Sequence, residues 1–296
     1  MIYDAFPFFN ELDLLEVRLH ELGEVADWFV LVESTWTHSN QPKPLYYQEN
    51  RERFRKFHSK IIHIVLRELP ARRDPWSLER YQRDCLARGL TGCSPRDVVL
   101  VSDVDEIPRA EAVRDVVAGL KFDDGRCTRA VHAWLRRPRV ARLLRVWLKK
   151  RHPFVHVFEQ VPFHFFVNCR ITRPPHWYGT RLVHYRDFGR ASDLRRWRGK
   201  VVRNGGWHFS WLGGVERIRA KVEAYAHQEF NTPEFMDPKR LAEGLAHGHN
   251  VVHPEETLAV VDVDDTFPAY LRANLERFRS WVWPPVPAVS IPTSEI

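Results

Sequence analysis

Three carboxylates fall within four residues in Ser102-Asp103-Val104-Asp105-Glu106-Ile107-Pro108. Like charges packed this closely repel one another unless a cation or a basic group compensates them. A hard divalent ion, Mn²⁺ or Mg²⁺, accepts such an oxygen-only set: it takes one or two carboxylates and completes its shell with phosphate oxygens and water. The competing reading is a solvated acidic turn at the start of the next helix, where negative charge is favoured. The tripeptide Asp-Val-Asp recurs at Asp262–Asp264, in Leu258-Ala259-Val260-Val261-Asp262-Val263-Asp264-Asp265-Thr266. Context must separate the two copies.

The elements that would position them are legible. Tyr3 to Phe9 reads as a strand, and Asp13 to Trp28 as a helix with Leu15, Leu19, Leu22 and Val25 on one side. Two more cycles follow. Gln48 to Ser59 is helical before a strand at Ile61 to Leu66, and Trp76 to Leu90 is helical before a strand at Val98 to Val101. Strands that are apolar throughout and separated by helices imply an α/β fold with a mostly parallel sheet covered on both faces. Ligands of such sheets sit beyond the carboxyl ends of the strands, where the Asp103 cluster falls. Ala110 to Leu120 continues as helix, Val155 to Ile171 as strand, and Gly214 to Phe230 as helix. The second acidic triplet is similar to the aspartyl nucleophile loop of haloacid-dehalogenase-type phosphatases. That loop opens its fold, however, and only about thirty residues follow here, so an acidic turn after a short strand is the better reading.

Composition narrows the class. A chain of 296 residues with 44% hydrophobic and 28% charged residues is globular, without the signature of disorder. No apolar run reaches the roughly 18–20 residues of a membrane span, and the first residues lack a leader pattern. The expectation is therefore a cytoplasmic protein, at most peripheral to a membrane. Cys85, Cys93, Cys127 and Cys169 are widely spaced and form no CxxC pair, as expected of reduced thiols. The net charge of +7 suits an anionic partner.

Several blocks in order carry a resemblance: FNELDLLEVRLHELGEVADWFVLVEST, PKPLYY, WSLERYQRDCLARGL, VLVSDVDEIP, then PFHFFVNCRITRPPHWYGTRLV and GGWHFSWLGGVERIRAKVEAYAHQEFN. Together, over about residues 3 to 235, they resemble glycosyltransferase family 17. The resemblance implies a GT-A fold of Rossmann type over residues 1–275, followed by a proline-rich tail at 276–296. It implies transfer of N-acetylglucosamine from a UDP-sugar donor to a glycan hydroxyl with inversion, in N-glycan or envelope polysaccharide synthesis. Asp105 and Asp103 would hold Mn²⁺ or Mg²⁺ on the donor diphosphate, with His227 as a further metal ligand. Glu216, after Gly213-Gly214, would be the catalytic base, its rival role being to complement the helix dipole there. Asn10, Glu11, Glu33, Arg83, Trp207, His208 and Lys221 would contact the donor. For each of these a buried salt bridge or a core aromatic is the competing role.

One segment departs from the family. Residues 136–151 are basic, and on a helix Val140, Leu143, Leu144, Trp147 and Leu148 would share a face opposite Arg142, Arg145 and Lys149. Such a helix can rest on an anionic membrane or pack on its own domain. A nucleic-acid binder would use the same arginines with base-stacking aromatics, but no nucleic-acid module is present and such a binder has no use for the acidic cluster. No nucleic-acid partner is expected.

Overall fold

The computed structural model describes residues 1–120 and 151–283. The basic segment and its proposed membrane helix, together with Cys127 and the last thirteen residues, lie outside that range. The chain opens with β1 (Ile2–Phe8), α1 (Leu12–Leu22), β2 (Trp28–Ser34), the single-turn α2 (Tyr46–Glu49) and β3 (Ile61–Leu66). It continues with α3 (Pro75–Asp84), β4 (Val98–Val101), β5 (Glu106–Pro108) and α4 (Ala110–Gly119). The second half holds β6 (Arg151–His164), β7 (Cys169–Arg173), β8 (Arg181–His184), α5 (Ala191–Leu194), β9 (Arg198–Ser210) and α6 (Gly214–Ala224). It ends with α7 (Pro238–Ala246), β10 (Thr257–Val260) and α8 (Ala269–Ala273).

One sheet runs in the order β10-β7-β6-β8-β4-β1-β2-β3, and β9 joins it beside β6 and carries β5. The strands from β3 to β4 are mutually parallel. Beyond β4 the pairings turn antiparallel, except that β6 and β9 run together. Alternation along the parallel strands fills two cores, one on each face. Phe6, Phe29, Leu31 and Leu100 join Leu15 and Leu19 of α1. Ala5, Val30, Val32, Val99 and Val101 join Leu86 and Leu90 on the other side. A Rossmann-like α/β layering is thus what forms. β1 sits between β2 and β4, so consecutive units leave β1 in opposite directions. The carboxyl ends of β1 and β4 therefore border the crevice where such sheets bind ligands.

Several expected boundaries differ. The first helix ends at Leu22, since Trp28 already opens β2, and the strand expected over Val155–Ile171 is divided between β6 and β7. The helix expected over Gly214–Phe230 stops at Ala224, because Tyr225 turns to an extended conformation (φ −88°, ψ −179°). The segment after residue 275 is anchored as far as it is described. Phe278 is buried, and Asn168 holds Trp283 by donating to its carbonyl (2.6 Å) and accepting from its amide (2.8 Å).

Candidate active site

The acidic loop is shaped by a residue the spacing did not reveal. Arg18 of α1 is fully buried and pairs with the equally buried Asp4 of β1, its Nη2 at 2.5 Å from Oδ1 and its Nε at 2.7 Å from Oδ2. The same guanidinium donates to the carbonyls of Asp103 and Glu106 (2.9 Å each) and to Ser102 Oγ (2.6 Å). A guanidinium's rigid fork of donors suits this task. It ties the backbone of the loop to the first strand and helix and leaves the acidic side chains for other partners.

Those side chains meet basic ones. Asp103 accepts from Arg83 of α3 (2.8 Å) and from Arg195 (3.1 Å), which follows α5. Burial pushes the Asp103 carboxyl up, but the two guanidiniums outweigh it and hold it well below the usual range. Asp105 accepts from Lys221 of α6 at 3.0 Å, and His208 Nε2 lies 3.8 Å from its other oxygen. Here too burial raises the carboxyl, and Lys221 and His208 bring it below its ordinary value. Glu106 is fully buried. Its carboxylate binds Arg195, accepts from Trp177 Nε1 (2.6 Å) and accepts from the amide of Asp103 (2.9 Å). A Cβ on Gly179 would stand 2.2 Å from the Glu106 carboxyl carbon, so only glycine lets that chain pass. Trp177 then stacks on His208, with centroids 4.5 Å apart and planes at 20°.

Asp103, Asp105, Arg83, Arg195 and Lys221 line one cleft of about 490 Å³, and Trp36, Trp76 and Tyr225 supply aromatic walls. Arg83 is buried, and its Nη1 has no hydrogen-bond partner. A buried guanidinium donor left unpaired on a cleft wall is what an anionic ligand would satisfy. A second chamber of about 180 Å³ shares Glu11, Asp105 and Lys221 with the first.

The expected site residues divide accordingly. Asp103, Asp105, Glu11, Arg83 and Lys221 come together at the cleft, and Asn10 lines the second chamber. His227 also lines the cleft, but beyond the end of α6. It bonds Glu229 (2.6 Å) and meets Trp76 edge-on, with no contact to either aspartate. His208 stands behind Asp105 and outside the residues lining either cavity, with Nδ1 unpartnered.

Three further expected residues are not brought to the cleft. Glu33 is fully buried and accepts from the amide of Tyr47 (2.9 Å) and from His63 (3.2 Å), so it holds α2 and β3 and does not reach the cleft. Trp207 is a core aromatic whose Nε1 donates to the Thr266 carbonyl (3.1 Å). Glu216 has an 82% exposed side chain, lines neither cavity, and lies 3.7 Å from Arg219.

Sequence reasoning passed over Arg195, Trp177 and Arg18. Arg18 sits among the matched blocks, on the apolar-periodic helix, and a charge on the buried side of such a helix is the signal that could have marked it. Nothing in the spacing around Arg195 or Trp177 points to Glu106.

Fold and site together define a Rossmann-like α/β protein with a charged cleft at its switch point, where basic side chains stand beside paired carboxylates. Residues 1–136 match the family model described as glycosyltransferase family 17. The chain is also 36% identical over 132 residues to the β-1,4-mannosyl-glycoprotein 4-β-N-acetylglucosaminyltransferases of rat, human and mouse. The match covers 42% of this chain and 24% of each relative, so it spans about a quarter of their length. The family-model match includes the acidic loop, Arg18 and Arg83, while Trp177, Arg195, His208 and Lys221 lie beyond it. Among the described residues no helix is long and apolar enough to cross a membrane.

Proposed function

We propose that the protein is a glycosyltransferase of GT-A type that moves N-acetylglucosamine from a UDP-sugar to a glycan hydroxyl with inversion. The family match and the named relatives support the reaction class. The observation that carries the site is the alternation of charge on one cleft wall. Asp103 and Asp105 stand among Arg83, Arg195 and Lys221, with an unpaired Arg83 donor beside them. A nucleoside diphosphate needs such a mixture: basic donors for its phosphate oxygens, and carboxylates for a cation that neutralises the rest.

The donor set fits a hard divalent cation. Asp103 and Asp105 offer carboxylate oxygens, and no group of three His, Cys, Asp or Glu side chains is assembled among the described residues. Diphosphate and water oxygens would therefore fill most of the coordination shell. A bound Mn²⁺ or Mg²⁺ would supply Lewis-acid stabilisation of the charge that grows on the leaving diphosphate. The chain's own part is to orient the diphosphate through Arg83 and Arg195, to hold Asp105 through Lys221, and to offer Trp36 and Trp76 as apolar faces for a sugar or base. A specific observation favours a second reading. Each aspartate already has basic partners, so Arg83, Arg195 and Lys221 could neutralise the diphosphate without a cation.

The test is a panel of UDP-sugars, with and without Mn²⁺, read by calorimetry and by UDP release. Binding and turnover of UDP-N-acetylglucosamine that EDTA abolishes supports the metal-assisted reading. Turnover unaffected by EDTA selects the second. Neither binding nor turnover with any nucleotide sugar sinks both.

A further inference from the structure

Glu11 lies at the junction of the two cavities. It follows β1, and it is one of three charged residues, with Asp105 and Lys221, that line both the 490 Å³ cleft and the 180 Å³ chamber. The chamber has the character of a sugar subsite: Trp211 and Trp281 offer flat apolar faces, and Asn10, Asp13 and Arg217 offer groups for hydroxyls. Two occupants entering from opposite sides would meet at Glu11, Asp105 and Lys221.

The Glu11 carboxylate is held for use at that junction. The amides of Phe9 and Asn10 both donate to Oε2, at 3.2 and 3.0 Å. Among the described residues Oε1 makes no hydrogen bond. Lys221, the nearby cation, is engaged by Asp105 Oδ2 and Ser210 Oγ at 3.0 and 3.1 Å. Burial and the neighbouring Asp105 charge push the Glu11 carboxyl up, against the pull of Lys221. A carboxylate fixed through one oxygen and bare at the other is the arrangement a proton acceptor needs. Glu216, the alternative from the sequence, is on the solvent side of α6 and lines neither cavity.

Resting on the glycosyltransferase reading above, we propose that the smaller chamber receives the acceptor sugar and that Glu11 is the catalytic base for its hydroxyl. In the step, the acceptor O–H proton passes to Glu11 Oε1 as the acceptor oxygen bonds the anomeric carbon. The bond from that carbon to the phosphate oxygen breaks, and its electron pair leaves on the nucleoside diphosphate.

The experiment compares Glu11→Gln and Glu216→Gln in the full chain. One readout is UDP affinity by calorimetry, and the other is UDP release from UDP-N-acetylglucosamine with water as the accepting hydroxyl. Glutamine can still accept from the amides of Phe9 and Asn10 but cannot take the proton. The expected result for Glu11→Gln is a fall in kcat of about 10²–10⁴-fold with UDP affinity within threefold of the wild type. Three outcomes overturn the proposal: kcat retained within threefold, UDP affinity lost in step with kcat, or the loss of kcat appearing at Glu216→Gln in place of Glu11→Gln. Should Glu11→Gln fold poorly, Glu11→Ala is read by the same split between kcat and UDP affinity. A wild-type chain that binds UDP and releases none from the sugar donor also overturns this step. One that binds no nucleotide at all removes the reading beneath it.

Discussion

The tripeptide Asp-Val-Asp occurs twice, and its two settings have little in common. At Asp103–Asp105 it follows a fully buried strand, its backbone is gripped by Arg18, and each carboxylate is met by basic side chains from distant parts of the chain. At Asp262–Asp264 it follows a short edge strand, both aspartates are exposed, and the Asp264 carboxylate accepts from the amide (3.0 Å) and the hydroxyl (2.6 Å) of Thr266. The second copy is a local turn that satisfies itself, as Asp and Thr commonly do. The first stays acidic at a cleft only because the rest of the fold compensates it. Identical residue types thus have different chemistry according to the long-range partners the topology delivers.

The largest effect should separate the two copies outright. Asp105→Asn removes the charge that faces Lys221 at the cleft, and turnover of a UDP-sugar should fall by roughly 10²–10³-fold, the scale set by loss of one electrostatic group. Asp262→Asn should leave turnover within twofold. Equal losses in steady-state assays would break the contrast. Next comes the clamp beneath the first copy. Arg18→Met leaves Asp4 as a buried, unpaired charge and frees the loop carbonyls, which should cost about 3–5 kcal/mol in urea unfolding. Adding Asp4→Leu to that variant should recover part of the stability, while turnover stays low because the loop is no longer held. Recovery of full turnover in the double variant would show that the clamp does not shape the site.

How much of this was legible follows from where each signal lies. The strands at residues 61–66 and 98–101 and the first helix stand out because their apolar periodicity is local, and the acidic loop was found because its charges are adjacent in sequence. The pairs that give it meaning join residues about 20, 90 and 116 positions apart: Arg83 with Asp103, Arg195 with Asp103 and Glu106, and Lys221 with Asp105. No periodicity encodes such separations. Glu33 and Trp207 misled for a related reason: each has a type suited to a ligand site, and only packing shows that one supports α2 and the other fills the core. The helix through His227 was overextended because residues 225–230 keep a helix-like apolar spacing, although the chain has already turned at Tyr225.

A smaller effect concerns how the second copy's segment is docked. Glu16 of α1 accepts from Arg277 (2.5 Å), Arg53 (2.5 Å) and Tyr270 (2.6 Å), and so joins the C-terminal region to the helix that carries Arg18. Burial alone pushes its carboxyl up, but Arg277, Tyr270 and Arg53 outweigh that and bring it from 4.5 to about 2. The folded state therefore binds this proton less readily than the unfolded chain. The stabilisation is fully present above about pH 4.5 and is lost as pH falls toward 2. Because Arg277 is partly exposed, Glu16→Gln should cost about 1–2 kcal/mol at pH 7. The gap between variant and wild type in urea midpoints should close below pH 4.5, and a gap constant with pH would show that packing rather than charge holds the segment.

The smallest effect sharpens the contrast from its quiet side. Asp264→Ala removes only the acceptor for the Thr266 amide and hydroxyl, both at the surface. The Thr266 carbonyl, which receives Trp207 Nε1 (3.1 Å) and Arg109 (3.0 Å), is untouched. The turn stays docked through that carbonyl, so the melting temperature should move only marginally and turnover should not change. A marked loss of turnover would mean that the exposed triplet communicates with the cleft through the Thr266–Trp207 contact and β9, which runs on from Trp207 to His208 and Ser210 beside Asp105. The two copies would then be one coupled system. Combining Asp264→Ala with Trp207→Phe, which deletes the indole donor together with part of the buried ring, settles it: additive effects keep them separate, and a non-additive loss of turnover joins them.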